Sequence, residues 1–95
     1  MIQIISSSQA KLLMAEGAQL IDVRSEAEFR QGAAPGAKNL PIQKLKAIAG
    51  DLDVKKPIIV YCRTGGRSAK AQELLQRIGF QQVHNAGAMH NYLSD

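Results

Sequence analysis

Cys62-Arg63-Thr64-Gly65-Gly66-Arg67-Ser68 is the stretch of this chain whose residue types and spacing converge on one kind of chemistry. Cys62 is the only cysteine, and two glycines and two arginines follow it within five residues. Gly65 and Gly66 can adopt positive φ and turn successive backbone N–H groups inward as a nest for an anion. A helix starting after them adds its partial positive N-terminus. Arg63 and Arg67 bring whole charges, and the Thr64 and Ser68 hydroxyls bring further donors. A free thiol of pKa about 8.5 is only about 3% ionised at pH 7. Lowering that value by two units takes roughly 2.7 kcal/mol of differential stabilisation and leaves about three-quarters of it as thiolate. A lone cysteine is more often an inert, buried small hydrophobe. The surroundings of Cys62 argue instead for a stabilised thiolate, a nucleophile set in an anion-binding loop.

Such a loop needs a rigid frame. Residues 58–61 form an unbroken apolar run after Pro57, which predicts a central strand covered on both faces. Beyond the loop, Ala71, Leu74, Leu75 and Ile78 recur at i, i+3, i+4, i+7, a helix that Gly79 stops. Upstream, 2–5 reads as a first strand. The serines at 6–8 offer N-caps for a helix in which Ala10, Leu13 and Met14 share a face, ending at Gly17. A second strand over 20–23 leads into a helix over 25–31, where Ser25 and Glu28 fit a capping box. A brief third strand over 37–40 follows the Pro35-Gly36 turn. Pro41 then suits the first position of a helix lined by Ile42, Leu45, Ile48 and Ala49, with Lys44 and Lys46 facing water. Residues 82–85 make the last strand, and a short terminal helix begins near Ala88. Strands alternating with helices predict an α/β sandwich with a mostly parallel sheet. In such sheets ligands bind at the carboxyl ends of the strands, where the Cys62 loop falls.

The 95 residues suit one domain, 1–95, and the 45% hydrophobic and 21% charged content is that of an ordinary globular chain. The apolar runs are too short to span a bilayer, and the N-terminal residues do not read as a signal peptide. One cysteine supports neither an internal disulfide nor a multi-cysteine zinc site. A reduced, cytoplasmic home is therefore expected, although a chain whose export signal had been removed reads the same way. Net charge is 12 − 8 = +4. Residues 1–54 carry six basic and six acidic side chains, whereas 55–94 carry Lys55, Lys56, Arg63, Arg67, Lys70 and Arg77 against Glu73 alone. This is either a solvated basic face or an attraction for a small anion near Cys62. With two Phe, two Tyr and no Trp, the chain lacks the stacking residues of a nucleic-acid binder.

Several segments together carry a resemblance. They are Ile21-Asp22-Val23-Arg24 followed by Glu28-Phe29, the turn Pro35-Gly36-Ala37-Lys38-Asn39-Leu40-Pro41, and Val60-Tyr61 leading into the Cys62 loop. Gly79-Phe80 and Gly87-Ala88-Met89 close the set. Over nearly its whole length the chain resembles the rhodanese, or sulfurtransferase, family. The resemblance implies a rhodanese-like three-layer sandwich with a five-stranded, mostly parallel sheet and helices on both faces. It also implies double-displacement sulfur transfer without metal or other cofactor. Cys62 would take a sulfane sulfur from a small anionic donor such as thiosulfate, releasing sulfite. The resulting persulfide would pass to cyanide, a thiol or a sulfur-relay protein, with no role for nucleic acid or membrane. By position, Arg63, Thr64, Gly65, Gly66, Arg67 and Ser68 would bind substrate. Ala33 and Ala34 stand where many members have a histidine and an aliphatic residue, Ala88 where a glycine is common, and Tyr92 near a common tryptophan. These departures bear on the mouth of the pocket and on donor preference.

Asp22 and Arg24 fall at the carboxyl end of the second strand, suited to a structural ion pair or cap, or to direct help with substrate. Asn39 reads as a turn residue bonding its own backbone. Lys70 reads as a surface lysine, Tyr61 as strand packing, and His84 and His90 lack a metal-ligand pattern. Two other functions compete. A persulfide carrier or protein-interaction module would show little turnover on free thiosulfate. A cysteine-dependent phosphatase or arsenate reductase also uses a thiolate in an anion loop. A tyrosine phosphatase loop, however, places Arg six residues after Cys, where Ser68 stands here.

Overall fold

A computed structural model describes residues 3–94. Ser6 opens helix α1 (Ser7–Ala15) with a reciprocal cap. The Gln9 N–H donates to the Ser6 hydroxyl at 3.1 Å, and the Ser6 N–H donates to Gln9 Oε1 at 2.8 Å. A cap of this kind contributes about 1 kcal/mol. Strand β1 (Gln19–Asp22) and helix α2 (Glu26–Gln31) follow, the latter opened by the capping box expected of Ser25 and Glu28. Strand β2 is only Lys38–Asn39. The helix expected after Pro41 is broken into a 3₁₀ turn at Ile42–Lys44, a single α-turn, α3 (Leu45–Ile48), and another 3₁₀ turn at Ala49–Asp51. Leu45, Ala49 and Leu52 all reach one core, and the tightened turns let so short a segment deliver them. Strand β3 (Ile58–Cys62), helix α4 (Gly66–Arg77), strand β4 (Val83–Ala88) and helix α5 (Met89–Leu93) complete the order.

The sheet is parallel, in the order β2-β1-β3-β4. Four strands form it rather than the five expected. Within the predicted first strand, Ile4 makes one isolated parallel bridge to Asn85, and the Ile5 N–H donates to the Asn85 carbonyl at 2.9 Å. Ser6 must then cap α1, so pairing ends there; Ile2 lies outside the described residues.

Alternation along β3 divides the interior in two. Ile58, Val60 and Cys62 pack with Leu45, Ala49, Ala71 and Leu75 on the α3 and α4 side. Ile59 and Tyr61 pack with Ala10, Leu13, Met14, Met89 and Tyr92 on the α1 and α5 side. All five residues of β3 are buried, as its apolar run predicts. Ile78 departs from its predicted place on the buried face of α4 and is 42% exposed, because it lies past the last helical turn where Gly79 reverses the chain. Two neighbours on β3 therefore look in opposite directions. The Cys62 side chain faces the α4 layer, and the Tyr61 ring faces the α5 layer. Among the described residues no helix is long and apolar enough to cross a membrane.

Candidate active site

The thiol of Cys62 ends the central strand and is wholly buried. Its Sγ accepts the Gly65 N–H at 3.0 Å and the Ser68 N–H at 3.3 Å, while the S–H points at Ser68 Oγ, 3.5 Å away. The Ser68 hydroxyl donates to the Gly65 carbonyl at 3.0 Å. Once the thiol ionises, the same hydroxyl can rotate onto Sγ. Burial pushes the Cys62 thiol up, but the Ser68 hydroxyl and the Ser68, Gly65 and Thr64 amides together pull it below its ordinary value. Gly65 makes the turn possible. It sits at φ +105°, a left-handed conformation that costs a side-chain-bearing residue about 1–2 kcal/mol, and it caps α4 so that the first-turn amides face the sulfur. Gly66 does not have the positive φ expected of it; it is already the first helical residue.

Arg67 has a different neighbour from the one expected. Its two terminal nitrogens donate to the two oxygens of Glu28 at 2.7 and 3.0 Å, tying the first turn of α4 to the first turn of α2. The same carboxylate accepts the Ser25 N–H at 3.1 Å. The Arg67 guanidinium and then the Ser25 amide hold Glu28 down at about 2. Arg67 thus braces the loop. Arg63 is exposed and has no ionic partner among the described residues, in contrast to Arg67.

Asp22 and Arg24 meet as a buried ion pair. Arg24 Nε donates to both Asp22 oxygens at 3.0 Å, and Nη2 donates to Asp22 Oδ2 and to the Gly32 carbonyl, each at 2.6 Å. Asp22 Oδ1 also accepts the Arg24 backbone N–H at 2.9 Å. Tyr61 does more than pack. Its hydroxyl donates to Asp22 Oδ2 at 2.7 Å and accepts the Ala34 N–H at 3.0 Å, and its ring stacks on Tyr92 with centroids 6.0 Å apart. Burial first, and then the Asp22 carboxylate, push the phenol up to about 12, so it stays a donor. Asn39 is not bonded to its own backbone; its amide donates to the Asp22 and Arg24 carbonyls, both at 3.0 Å, and pins the loop after β1. Asn39 and Tyr61 act across strands, and Glu28 and Arg67 lie 39 residues apart, so no local spacing announces these contacts. A depression of about 220 Å³ adjoins the Cys62 loop, lined by Arg24, Glu28, Gln31, Gly32, Arg63 and Met89. A larger groove of about 510 Å³, between Ile5, Leu12, Leu13 and His84, holds no group suited to this chemistry.

The model of the rhodanese-like domain matches residues 6–94. The chain belongs to the rhodanese-like domain family. The solved structure of a human single-domain sulfurtransferase, TSTD1, superposes with a TM-score of 0.81 at 28% identity, covering 95% of this chain and 94% of that one. A human thiosulfate:glutathione sulfurtransferase is 30% identical over 105 residues, 94% of this chain and 91% of that protein. The uncharacterized protein YqhL of Bacillus subtilis is 38% identical over 68 residues, and this match spans 72% of the chain and only 54% of that relative. Of the rhodanese positions where this chain departs, Ala34 supplies the amide that binds Tyr61, Ala88 lies opposite Cys62 in the sheet, and Tyr92 supplies the ring against Tyr61.

Proposed function

We propose that this rhodanese-like protein is a sulfurtransferase that moves a sulfane sulfur from thiosulfate or a related small donor to cyanide or a thiol through a persulfide on Cys62. The observation that carries the reading is the set of amides at the start of α4 directed at a buried Sγ, with the thiol held below its ordinary pKa. Thiolate and persulfide are both anions at one end of one side chain, so a single cradle serves both half-reactions. In the first, the Cys62 thiolate forms a bond to the sulfane sulfur as the sulfur–sulfur bond of thiosulfate breaks and its electron pair leaves with sulfite. In the second, the acceptor bonds to that sulfur and the Cys62 thiolate returns. Glutathione, which appears in the name of the human relative, is one thiol to try as acceptor.

Two features favour a small donor over a sulfur-relay protein or carrier role. Sγ is wholly buried, and the adjoining depression, at about 220 Å³, has room for a small anion rather than a protein segment. A phosphatase would need a guanidinium over its loop to bind the phosphoryl oxygens, and Arg67 is committed to Glu28. The test is steady-state kinetics with thiosulfate and cyanide. Parallel double-reciprocal lines with thiocyanate as product are expected; intersecting lines, which require both substrates bound at once, would refute the persulfide route.

A further inference from the structure

We propose that Arg24 reads the oxyanion end of the sulfur donor and receives the charge of the departing group, and that Asp22 and Tyr61 are positioning residues that hold it for that task. The inference rests on the Cys62 reading above. Asp22 is fully buried and Arg24 is 6% exposed. A buried ion pair is weak evidence for stability, because apolar residues of similar volume often serve as well or better. This pair is also far more constrained than packing requires. Nε and Nη2 of Arg24 are taken up by Asp22 and the Gly32 carbonyl, and the guanidinium carbon lies 5.8 Å from the centroid of the Tyr61 ring. Asp22 is held in turn by the Tyr61 hydroxyl. Nη1 alone has no partner among the described residues, yet it is not one of the buried atoms left unpaired. It is therefore an open donor on an otherwise immobilised arginine, and that arginine lines the depression beside the Cys62 loop together with Arg63.

The chemistry places charge there. Displacement at the sulfane sulfur is in line, so the leaving group lies beyond that sulfur, on the side away from Sγ. Sγ is enclosed by the loop and the start of α4, and the donor would enter from the depression that the loop's own Arg63 lines. Atoms and charge balance: the Cys62 thiolate and the thiosulfate dianion become the persulfide anion and the sulfite dianion. Negative charge grows on the sulfite as the bond breaks, and a fixed donor stabilises it without reorganising. Asp22 neutralises Arg24 at a distance, so Nη1 acts by directed contact, while attraction from solution falls to exposed Arg63. The donors selected are small ones that carry a sulfonate or similar oxyanion one bond beyond the sulfane sulfur.

The experiment measures the rate of Cys62 loading, by protein mass, from two donors. One is thiosulfate; the other is ethyl hydropersulfide, whose departing ethanethiolate has no oxygen to meet Nη1. Arg24→Gln is expected to slow loading from thiosulfate about ten- to hundredfold and loading from the hydropersulfide by no more than about threefold. An equal fall with both donors would make Arg24 purely structural and overturn the proposal. Circular dichroism checks that the variant folds. If it does not, Tyr61→Phe decides: it keeps the ring and removes only the hydroxyl on Asp22, and a thiosulfate-specific loss of about two- to fivefold is expected. No loss, or the same loss with both donors, overturns the proposal. Failure of the unmodified protein to load from either donor would instead remove the Cys62 reading on which the proposal stands.

Discussion

Two loops leave the carboxyl ends of adjacent parallel strands, β1 and β3, and they are built on opposite plans. The loop after β1 is held by side chains: Asp22 on Arg24, Tyr61 on Asp22, and Asn39 on two carbonyls. The loop after β3 is held by backbone, with one left-handed glycine and two amides on a sulfur. On the proposed function, the difference follows from what each must present. A sulfur that is to be an anion in both its thiolate and persulfide states needs several dipoles converging on one point, and successive amides at a helix start supply them with no side chain to order. A guanidinium that is to contact an anion needs to be aimed, and only rigid side-chain partners aim it. Glu28 and Arg67 join the plans, because one carboxylate closes the cap of α2 and grips the first turn of α4.

Breaking the side-chain plan has the largest expected effect. Asp22→Ala removes the carboxylate to which a buried guanidinium and a buried phenol both donate, and a loss of about 3–5 kcal/mol in urea unfolding is expected. A loss under about 1 kcal/mol would mean that the pair is solvated and the network loose. Next comes the backbone plan. Gly65→Ala forces a side chain into φ +105° and should cost about 1–2 kcal/mol while raising the pH midpoint of Cys62 alkylation by a small haloacetamide. Gly66→Ala meets no atom within 4 Å of its new Cβ and should change stability by less than about 0.5 kcal/mol. Equal effects at the two glycines would erase the distinction drawn between them. The smallest effect is a pH dependence at the junction. Glu28 titrates at about 2 in the folded chain against an ordinary 4.5, so its contribution is present above 4.5 and is lost as pH falls toward 2. Glu28→Gln should flatten the fall in stability across that window. An unchanged slope would assign the acid sensitivity to other carboxylates.

The backbone plan was the more legible in the sequence. Alternation of elements, the apolar run of β3, both glycine stops and the Ser25–Glu28 cap all depend on residues close in the chain, and each is found near its expected place. The fifth strand failed because one bridge at Ile4 is all that pairing allows before Ser6 turns to cap α1. The Pro41 helix broke because tertiary packing of Leu45 and Leu52 overrode local periodicity. The side-chain plan was nearly invisible. Local spacing shows Glu28 as a cap and Tyr61 as packing, and only the register of β1 against β3 brings Tyr61 opposite Asp22. Arg67, whose charge reads in sequence as an anion clamp, is satisfied by a carboxylate from another helix.

The central claim is that Cys62 carries the transferred sulfur, and intact-protein mass after exposure to thiosulfate tests it most directly. The account predicts a gain of one sulfur atom with release of one sulfite, reversal of that gain by cyanide, and no gain in Cys62→Ser. An unchanged mass in the native protein, or the same gain in Cys62→Ser, would contradict it.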